Sequence, residues 1–211
     1  MKVIQILIDN PNSWMVPFAS KFAEKLKEKG YESRVFHSHE EVEKGDLLVL
    51  LSCEKKFTRF EMNKYNLVVH ESNLPLGKGW SPLTHQILEG KNKIPIILLE
   101  ADKEFDSGDI LLKDYIRLNG TELIDEIRII QAEKTFKLIE TFLLDHKNIK
   151  GIKQSGVETF YPKRSPSDSE LDKNKSLIEN FNLLRVVDNH RYPGYFIFND
   201  VRYRLKIYRD E

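Results

Sequence analysis

The sequence has a single cysteine, Cys53, so the chain cannot build an internal disulfide framework, which favours a reducing compartment. It also has no excess charge of either sign. Its 33 Lys and Arg balance 33 Asp and Glu, so the chain lacks the excess of basic residues that is typical of a nucleic-acid-binding protein. No run approaches the roughly 18 apolar residues that span a bilayer, and no signal peptide opens the chain. We therefore expect a soluble, cytoplasmic protein with no nucleic acid and no membrane as partner.

Apolar runs alternate with helix-like stretches over the first 150 residues. Strand patterns occur at residues 2–8, 31–36, 47–51, 67–69, 94–99 and 110–118, and helical periodicity at 14–29, 82–89 and 121–144. This order predicts an α/β fold with a Rossmann-like, mostly parallel sheet flanked by helices.

The composition becomes more polar after about residue 150, where glycine and proline interrupt the chain. A helix over about 171–187 and a hairpin over 195–208, with Asn199-Asp200 at its turn, are expected in this region. The sequence thus predicts a catalytic domain at 1–150 and a small helix-plus-hairpin appendage at 151–211, too poor in apolar residues to fold alone.

His70 ends the apolar run 67–69 and precedes a polar turn that contains Pro75. Most histidines in proteins are structural, but open parallel sheets bind ligands at the carboxyl ends of their strands. An imidazole at that position can act as an acid or a base near neutral pH. His70 is therefore the first candidate for a catalytic residue.

Asp106 lies 36 residues further on, in an acidic loop that is otherwise typical of a solvated surface. Ser107 and Gly108 predict a tight turn directly after it. A carboxylate held in such a turn could orient the imidazole of His70 and stabilise its cation.

The other polar residues give weaker signals. Gly77-Lys78-Gly79 lacks the spacing of known phosphate-binding loops, so it is either a flexible turn or a loop that meets an anionic substrate. Trp80 is more often core than ligand platform, and Cys53 is typical of a small buried apolar residue. The remaining histidines lack metal-ligand spacing, and no metal is expected.

Three segments together resemble a known family: residues 70–75 (His-Glu-Ser-Asn-Leu-Pro), 78–82 (Lys-Gly-Trp-Ser-Pro) and 106–109 (Asp-Ser-Gly-Asp). They are similar to the formyltransferases that use 10-formyltetrahydrofolate, which act on methionyl-tRNA, glycinamide ribonucleotide or amino sugars. Residues 164–168 and 192–194 resemble segments of the sugar N-formyltransferases. Within that group, residues 77–82 (Gly-Lys-Gly-Trp-Ser-Pro) most resemble the enzymes of pseudaminic-acid-type pathways.

The resemblance implies that His70 and Asp106 act with an asparagine two residues before the histidine. Val68 stands at that place here and cannot bind an oxyanion, so Asn73 is the first candidate for the missing donor, with Ser72 and a bound water as alternatives. Losing such a donor costs about 3 kcal/mol in the transition state.

The resemblance also places 10-formyltetrahydrofolate between two segments of the chain. The residues implied in cofactor binding are Ser52, Cys53, Glu54, Lys55, Phe57, Glu104, Phe105 and Asp106.

The neutral charge favours a nucleotide-linked amino sugar as the formyl acceptor over tRNA. The residues implied in binding it are Lys78, Gly79, Trp80, Arg164, Arg185 and Tyr192. A methionyl-tRNA formyltransferase-like enzyme and a non-catalytic folate- or nucleotide-sugar-binding relative remain as alternatives. The apolar hairpin at 195–208 either covers the core or joins two copies in a homodimer.

Overall fold

The computed structural model describes residues 1–210, which form a six-stranded sheet, two small two-stranded sheets and four α-helices. The strands are Val3–Leu7 (β1), Glu32–Phe36 (β2), Gly45–Leu50 (β3), Asn63–His70 (β4), Lys78–Gly79 (β5), Lys93–Glu100 (β6), Ile110–Arg117 (β7), Phe160–Tyr161 (β8), Gly194–Phe198 (β9) and Val201–Leu205 (β10). The helices are Val16–Glu28 (α1), Pro82–Leu88 (α2), Ile124–Asp145 (α3) and Phe181–Val186 (α4).

The main sheet has the strand order β2-β1-β3-β4-β6-β7. The first four strands are parallel, and β6 and β7 run antiparallel to their neighbours. The predicted α/β fold with a mostly parallel, Rossmann-like sheet is confirmed. In this arrangement the parallel strands β1, β3 and β4 end at one edge of the sheet, which is where such folds bind ligands.

Both faces of the sheet are covered, so the central strands are apolar throughout rather than alternating. One face packs against α1 and α3 through a large core that includes Ile4, Val49, Phe22 and Phe142. A smaller cluster around Leu48 and other side chains covers the opposite face. Among residues 1–210, no helix is long and apolar enough to cross a membrane.

The chain after residue 150 runs close to the end of the main sheet. Ile152 forms a β-bridge with Ile110 in β7, and β8 pairs in parallel with β5. The segment therefore supplies neighbours to the turn regions at both 77–79 and 106–109. Whether residues 151–211 form a separate folding unit stays a prediction.

The helix predicted over about 171–187 is wrong in extent, because only Phe181–Val186 is α-helical. The side chain of Asn180 donates hydrogen bonds to the backbone oxygens of Asp172, Lys175 and Ser176. These bonds offer the backbone an alternative to helical pairing, which is why asparagine favours turns.

The predicted hairpin with Asn199 and Asp200 at its turn is confirmed by the pairing of β9 with β10. Both turn residues have positive φ, +47° and +61°, as a two-residue type I′ turn requires.

Candidate active site

His70 is the last residue of β4 and is only 5% exposed. Its Nε2 lies 2.9 Å from the carbonyl oxygen of Gly77, and its Nδ1 lies 3.4 Å from Oδ1 of Asp106. Both neighbours are acceptors, so a neutral ring with one N–H would satisfy only one of them. Both ring nitrogens therefore face protein oxygens rather than open space.

Asp106 occupies a tight turn between β6 and β7, with φ of +53°. Its Oδ2 accepts a hydrogen bond from the backbone N–H of Gly79 at 2.9 Å, while Gln154 donates to its carbonyl oxygen at 2.8 Å. A side chain at Gly108 would place its Cβ 1.9 Å from the carbonyl oxygen of Glu100, so only glycine fits there. The turn therefore holds the carboxylate in a fixed position against His70.

His70 and Asp106 lie in the wall of a cavity of about 670 Å³, within the size range of small-molecule and cofactor sites. The structure places nearly all of the predicted site residues around it. Those that line the cavity are Ser52, Cys53, Glu54, Lys55, Phe57, Lys78, Gly79, Trp80, Glu104, Phe105, Arg164 and Tyr192.

Asp9, which follows β1, shapes the loop that begins at Ser52. Its carboxylate accepts hydrogen bonds from the backbone N–H groups of Glu54, at 2.8 Å, and Lys55, at 2.7 Å. Burial raises the pKa of the half-buried Cys53 thiol to about 12, so the thiol stays protonated and is not a nucleophile. Sequence reasoning missed Asp9, although a carboxylate directly after a buried strand was a usable signal.

Lys78 and Arg164 supply positive charge to the cavity wall. The Lys78 ammonium contacts the carboxylate of Glu158 at 2.5 Å and the hydroxyl of Ser107 at 2.9 Å. Burial lowers the pKa of the Arg164 guanidinium, which donates a hydrogen bond to the carbonyl oxygen of Asp168. A further cation, Lys163, lies over the ring of Trp80 at 4.1 Å.

The structure does not bring Asn73 to the cavity. Its side chain is exposed and accepts a hydrogen bond from Lys113. The alternative donor Ser72 is buried, and its hydroxyl has no partner among residues 1–210, but it does not line the cavity either. The expectation that Asn73 replaces the missing asparagine is therefore corrected, because its side chain lies at the surface and bonds to Lys113 instead of facing the cavity.

Arg185 is also absent from the cavity lining, contrary to its predicted role in substrate binding. It is 1% exposed, and its guanidinium lies 3.3 Å from the carboxylate of Glu122 and 3.0 Å from Oδ1 of Asn92. Arginine is buried only when paired. Arg185 therefore joins α4 to the body of the fold.

Replacing Arg185 by methionine should lower the free energy of unfolding by roughly 3 kcal/mol, because Glu122 is left as a buried, unpaired carboxylate. Chemical denaturation measures this change. Arg204→Met, at an exposed arginine of β10, is the control and should leave stability unchanged. Unchanged stability with weaker nucleotide-sugar binding would restore Arg185 to the substrate site.

Glu71, which the sequence analysis assigned no role, lies beside His70. Glu71 lines the cavity, and its Oε1 accepts a hydrogen bond from Gln131 of α3 at 2.7 Å. Burial raises the pKa of Glu71. A charged residue directly after a buried strand that ends in histidine was a signal the sequence offered. Among residues 1–210, no cluster of three or more His, Cys, Asp or Glu is placed to hold a metal ion.

Comparison with known proteins finds relatives among the formyltransferases, although no family model matches the chain. A methionyl-tRNA formyltransferase from Rickettsia prowazekii (strain Madrid E) is 32% identical over 144 residues, which cover 66% of this chain and 46% of that protein. The chain thus spans about half the length of the curated relatives it matches.

Solved structures of similar fold cover nearly the whole chain. Methionyl-tRNA formyltransferase from Clostridium thermocellum has a TM-score of 0.78 at 24% identity and covers 96% of this chain and 90% of that one. A sugar N-formyltransferase from Shewanella sp FDAARGOS_354 has a TM-score of 0.69 at 16% identity, covering 100% and 99%. HypX from Aquifex aeolicus in complex with tetrahydrofolic acid has a TM-score of 0.73 at 17% identity, covering 94% and 36%.

These similarities agree with the geometry, in which an imidazole and a carboxylate meet at the carboxyl end of a parallel strand. The chain is related to the formyltransferases, in sequence over about two thirds of its length and in fold over nearly all of it.

Proposed function

We propose that this protein transfers a formyl group from 10-formyltetrahydrofolate to the amine of a nucleotide-linked amino sugar. The observation that carries the proposal is the pairing of His70 with Asp106 in the wall of a cavity large enough for a folate. The acceptor we favour is a UDP-4-amino sugar of pseudaminic-acid-type biosynthesis. A cytoplasmic location belongs to the same proposal.

The residues of the cavity fit the chemistry of a folate. Phe57 and Leu99 supply apolar surface for a flat ring, and the loop after β3 supplies backbone groups at its edge. Two buried polar atoms in residues that line the cavity, Oγ1 of Thr135 and Nε of Arg128, have no partner within residues 1–210. Buried polar atoms of this kind are normally hydrogen-bonded, so a polar ligand would satisfy them.

When bound, 10-formyltetrahydrofolate supplies the formyl carbon that the acceptor amine attacks. A protonated His70 would stabilise the negative charge that the reaction places on the formyl oxygen. Asp106 fixes the imidazole and favours its cationic form. Val68 offers no hydrogen-bond donor at the place of the family's asparagine, so the charge of His70 carries more of this stabilisation.

The acceptor would be held by the cations of the cavity wall. Arg164 can meet a diphosphate, Lys78 could do so only by leaving Glu158, and Tyr192, which is 40% exposed, can stack on a base. The formal net charge of zero disfavours the broad contact with RNA that a tRNA substrate requires. The relatives found by sequence are methionyl-tRNA formyltransferases, so an activity of that kind is the second candidate.

The proposal is tested by measuring the release of tetrahydrofolate from 10-formyltetrahydrofolate in the presence of a UDP-4-amino sugar. A second reaction replaces the sugar with charged initiator tRNA. Release with the sugar alone supports the proposal, and release with tRNA alone supports the second candidate. Binding of either ligand without any release would favour a non-catalytic relative, the reading that Val68 suggests.

The homodimer expected through the C-terminal hairpin stays a prediction. Phe198, Val201 and Tyr203 are 57%, 51% and 46% exposed, so β9 and β10 present apolar side chains to solvent. If a second copy covers them, light scattering should report a dimer, and Phe198→Asp should dissociate it by placing a charge in the interface. Arg204→Asp, on the same hairpin, tests whether any added negative charge has this effect. A monomer at every concentration would reject the dimer.

A further inference from the structure

Glu71 is a titratable group of the cavity wall that the formyl-transfer scheme above leaves without a role. It follows His70 directly and lines the cavity beside it. Gln131 of α3 donates to one carboxylate oxygen at 2.7 Å, and Gln86 of α2 donates to the Glu71 backbone oxygen at 2.6 Å. One helix thus holds the carboxylate of Glu71, and another holds its backbone.

Within the described part of the chain, the carboxylate of Glu71 has no lysine or arginine as a partner. Among residues 1–210 no lysine or arginine forms an ion pair with it, and the nearest charges that act on it are those of His70 and Asp106. Its hydrogen-bond partner, Gln131, is uncharged, and its second oxygen accepts no hydrogen bond from another residue within that range. Burying a carboxylate without a cation is costly, so the fold retains a group that a cationic ligand would stabilise.

His70, by contrast, has no nitrogen free for the acceptor. Both of its ring nitrogens lie against protein oxygens, those of Gly77 and Asp106. A charged imidazole in this position can stabilise an oxyanion, but it cannot take a proton from an amine. A primary amine is mostly an ammonium ion at neutral pH and must lose a proton before it can attack. The cavity therefore needs a second group for this step.

We propose that Glu71 binds the ammonium group of the acceptor and takes its proton before the amine attacks the formyl carbon. This inference rests on the proposed function. In the overall reaction a bond forms between the amine nitrogen and the formyl carbon, and the bond between that carbon and N10 of the folate breaks. Of the two protons that the ammonium nitrogen gives up, one ends on N10 and the other leaves through Glu71 to solvent.

Glu71→Gln tests this assignment because glutamine has nearly the same shape and can still accept a hydrogen bond from Gln131. We expect kcat/KM for a UDP-4-amino sugar at pH 7 to fall about a hundredfold, the usual contribution of an acid–base group. The rate of the variant should then rise roughly tenfold per pH unit between pH 6 and 8, because the neutral amine must come from solution. The wild-type rate should depend on pH less steeply.

Binding measurements give a second readout that does not need turnover. Calorimetry with the UDP-4-amino sugar and its 4-hydroxy counterpart should show that the wild-type protein prefers the amine at least tenfold, and that Glu71→Gln has lost this preference. Glu133→Gln, at an exposed carboxylate of α3, is the matched control and should behave as wild type. Thermal melting and tetrahydrofolate binding check that Glu71→Gln remains folded.

The outcomes separate this inference from the function on which it rests. An active wild-type protein whose Glu71→Gln variant keeps its rate, its pH profile and its preference for the amine would overturn the role of Glu71 alone. An equal loss of rate at every pH, with the amine preference intact, would also overturn it, since that is the result of a purely structural role. A wild-type protein that transfers no formyl group to the amino sugar would remove the proposed function and this inference together.

Discussion

Replacing His70 by alanine is expected to lower kcat for formyl transfer about a thousandfold, within the range that acid–base and oxyanion-stabilising groups contribute. The reason is that His70 supplies the positive charge beside the formyl oxygen. Val68 provides no hydrogen-bond donor that could also stabilise the negative charge on that oxygen. Initial rates of tetrahydrofolate formation at saturating substrate measure the effect. The affinity for tetrahydrofolate should change little, because the loop after β3 and the backbone before Asp106 remain in place.

His146→Ala is the control for the loss of a ring. His146 lies at the end of α3, away from the cavity, where its Nδ1 lies 3.3 Å from the carbonyl oxygen of Leu143. This variant should keep the wild-type rate. A His70→Ala protein that is folded, binds folate and still turns over at more than a tenth of the wild-type rate would remove His70 from the mechanism.

Replacing Asp106 by asparagine should lower kcat about a hundredfold or more, because the neutral amide no longer favours the cationic form of His70. The substitution is nearly isosteric. Asparagine tolerates the left-handed conformation of this turn, where φ is +53°, and its side-chain oxygen can still accept the N–H of Gly79. The fold should therefore be kept, and the measured loss reports on charge.

The double variant distinguishes a coupled pair from two independent contributions. If Asp106 acts only through His70, adding Asp106→Asn to His70→Ala should reduce the rate little further. Additive losses, multiplying to about a hundred-thousandfold, would mean that Asp106 acts on the folate or the acceptor by itself.

The sequence predicted the main sheet because its strands are continuous apolar runs and its long helix repeats apolar residues at helical spacing. The sequence also predicted that His70 and Asp106 lie close together, from the position of the histidine at a strand end and from the family resemblance. It did not predict the short α4, where Asn180 replaces helical hydrogen bonds by its own side-chain bonds. Competition of this kind depends on contacts between residues and leaves no periodic pattern.

Side-chain direction accounts for the other differences. Asn73 stands in the right segment but points to Lys113 and solvent, and Arg185 is turned inward to Glu122. An arginine of an exposed appendage and an arginine that pairs inside the fold look the same in a sequence. The position of Asp9 after a buried strand was a signal, but its partners could not be predicted, since they are backbone N–H groups some 45 residues away.

The segment after residue 150 contributes to the site more than a peripheral appendage would. Gln154 donates to the carbonyl oxygens of Asp106 and Gly108, and β8 pairs with the strand that carries Lys78. Because Arg164 and Tyr192 of this segment line the cavity, we expect it to contribute to acceptor specificity.

The most direct test of the account is the rate of tetrahydrofolate formation from 10-formyltetrahydrofolate by the purified protein, measured with and without a UDP-4-amino sugar. The account predicts release that requires the amine and nearly disappears in His70→Ala. Release that does not depend on an amine, or that is equal in the two proteins, would contradict it.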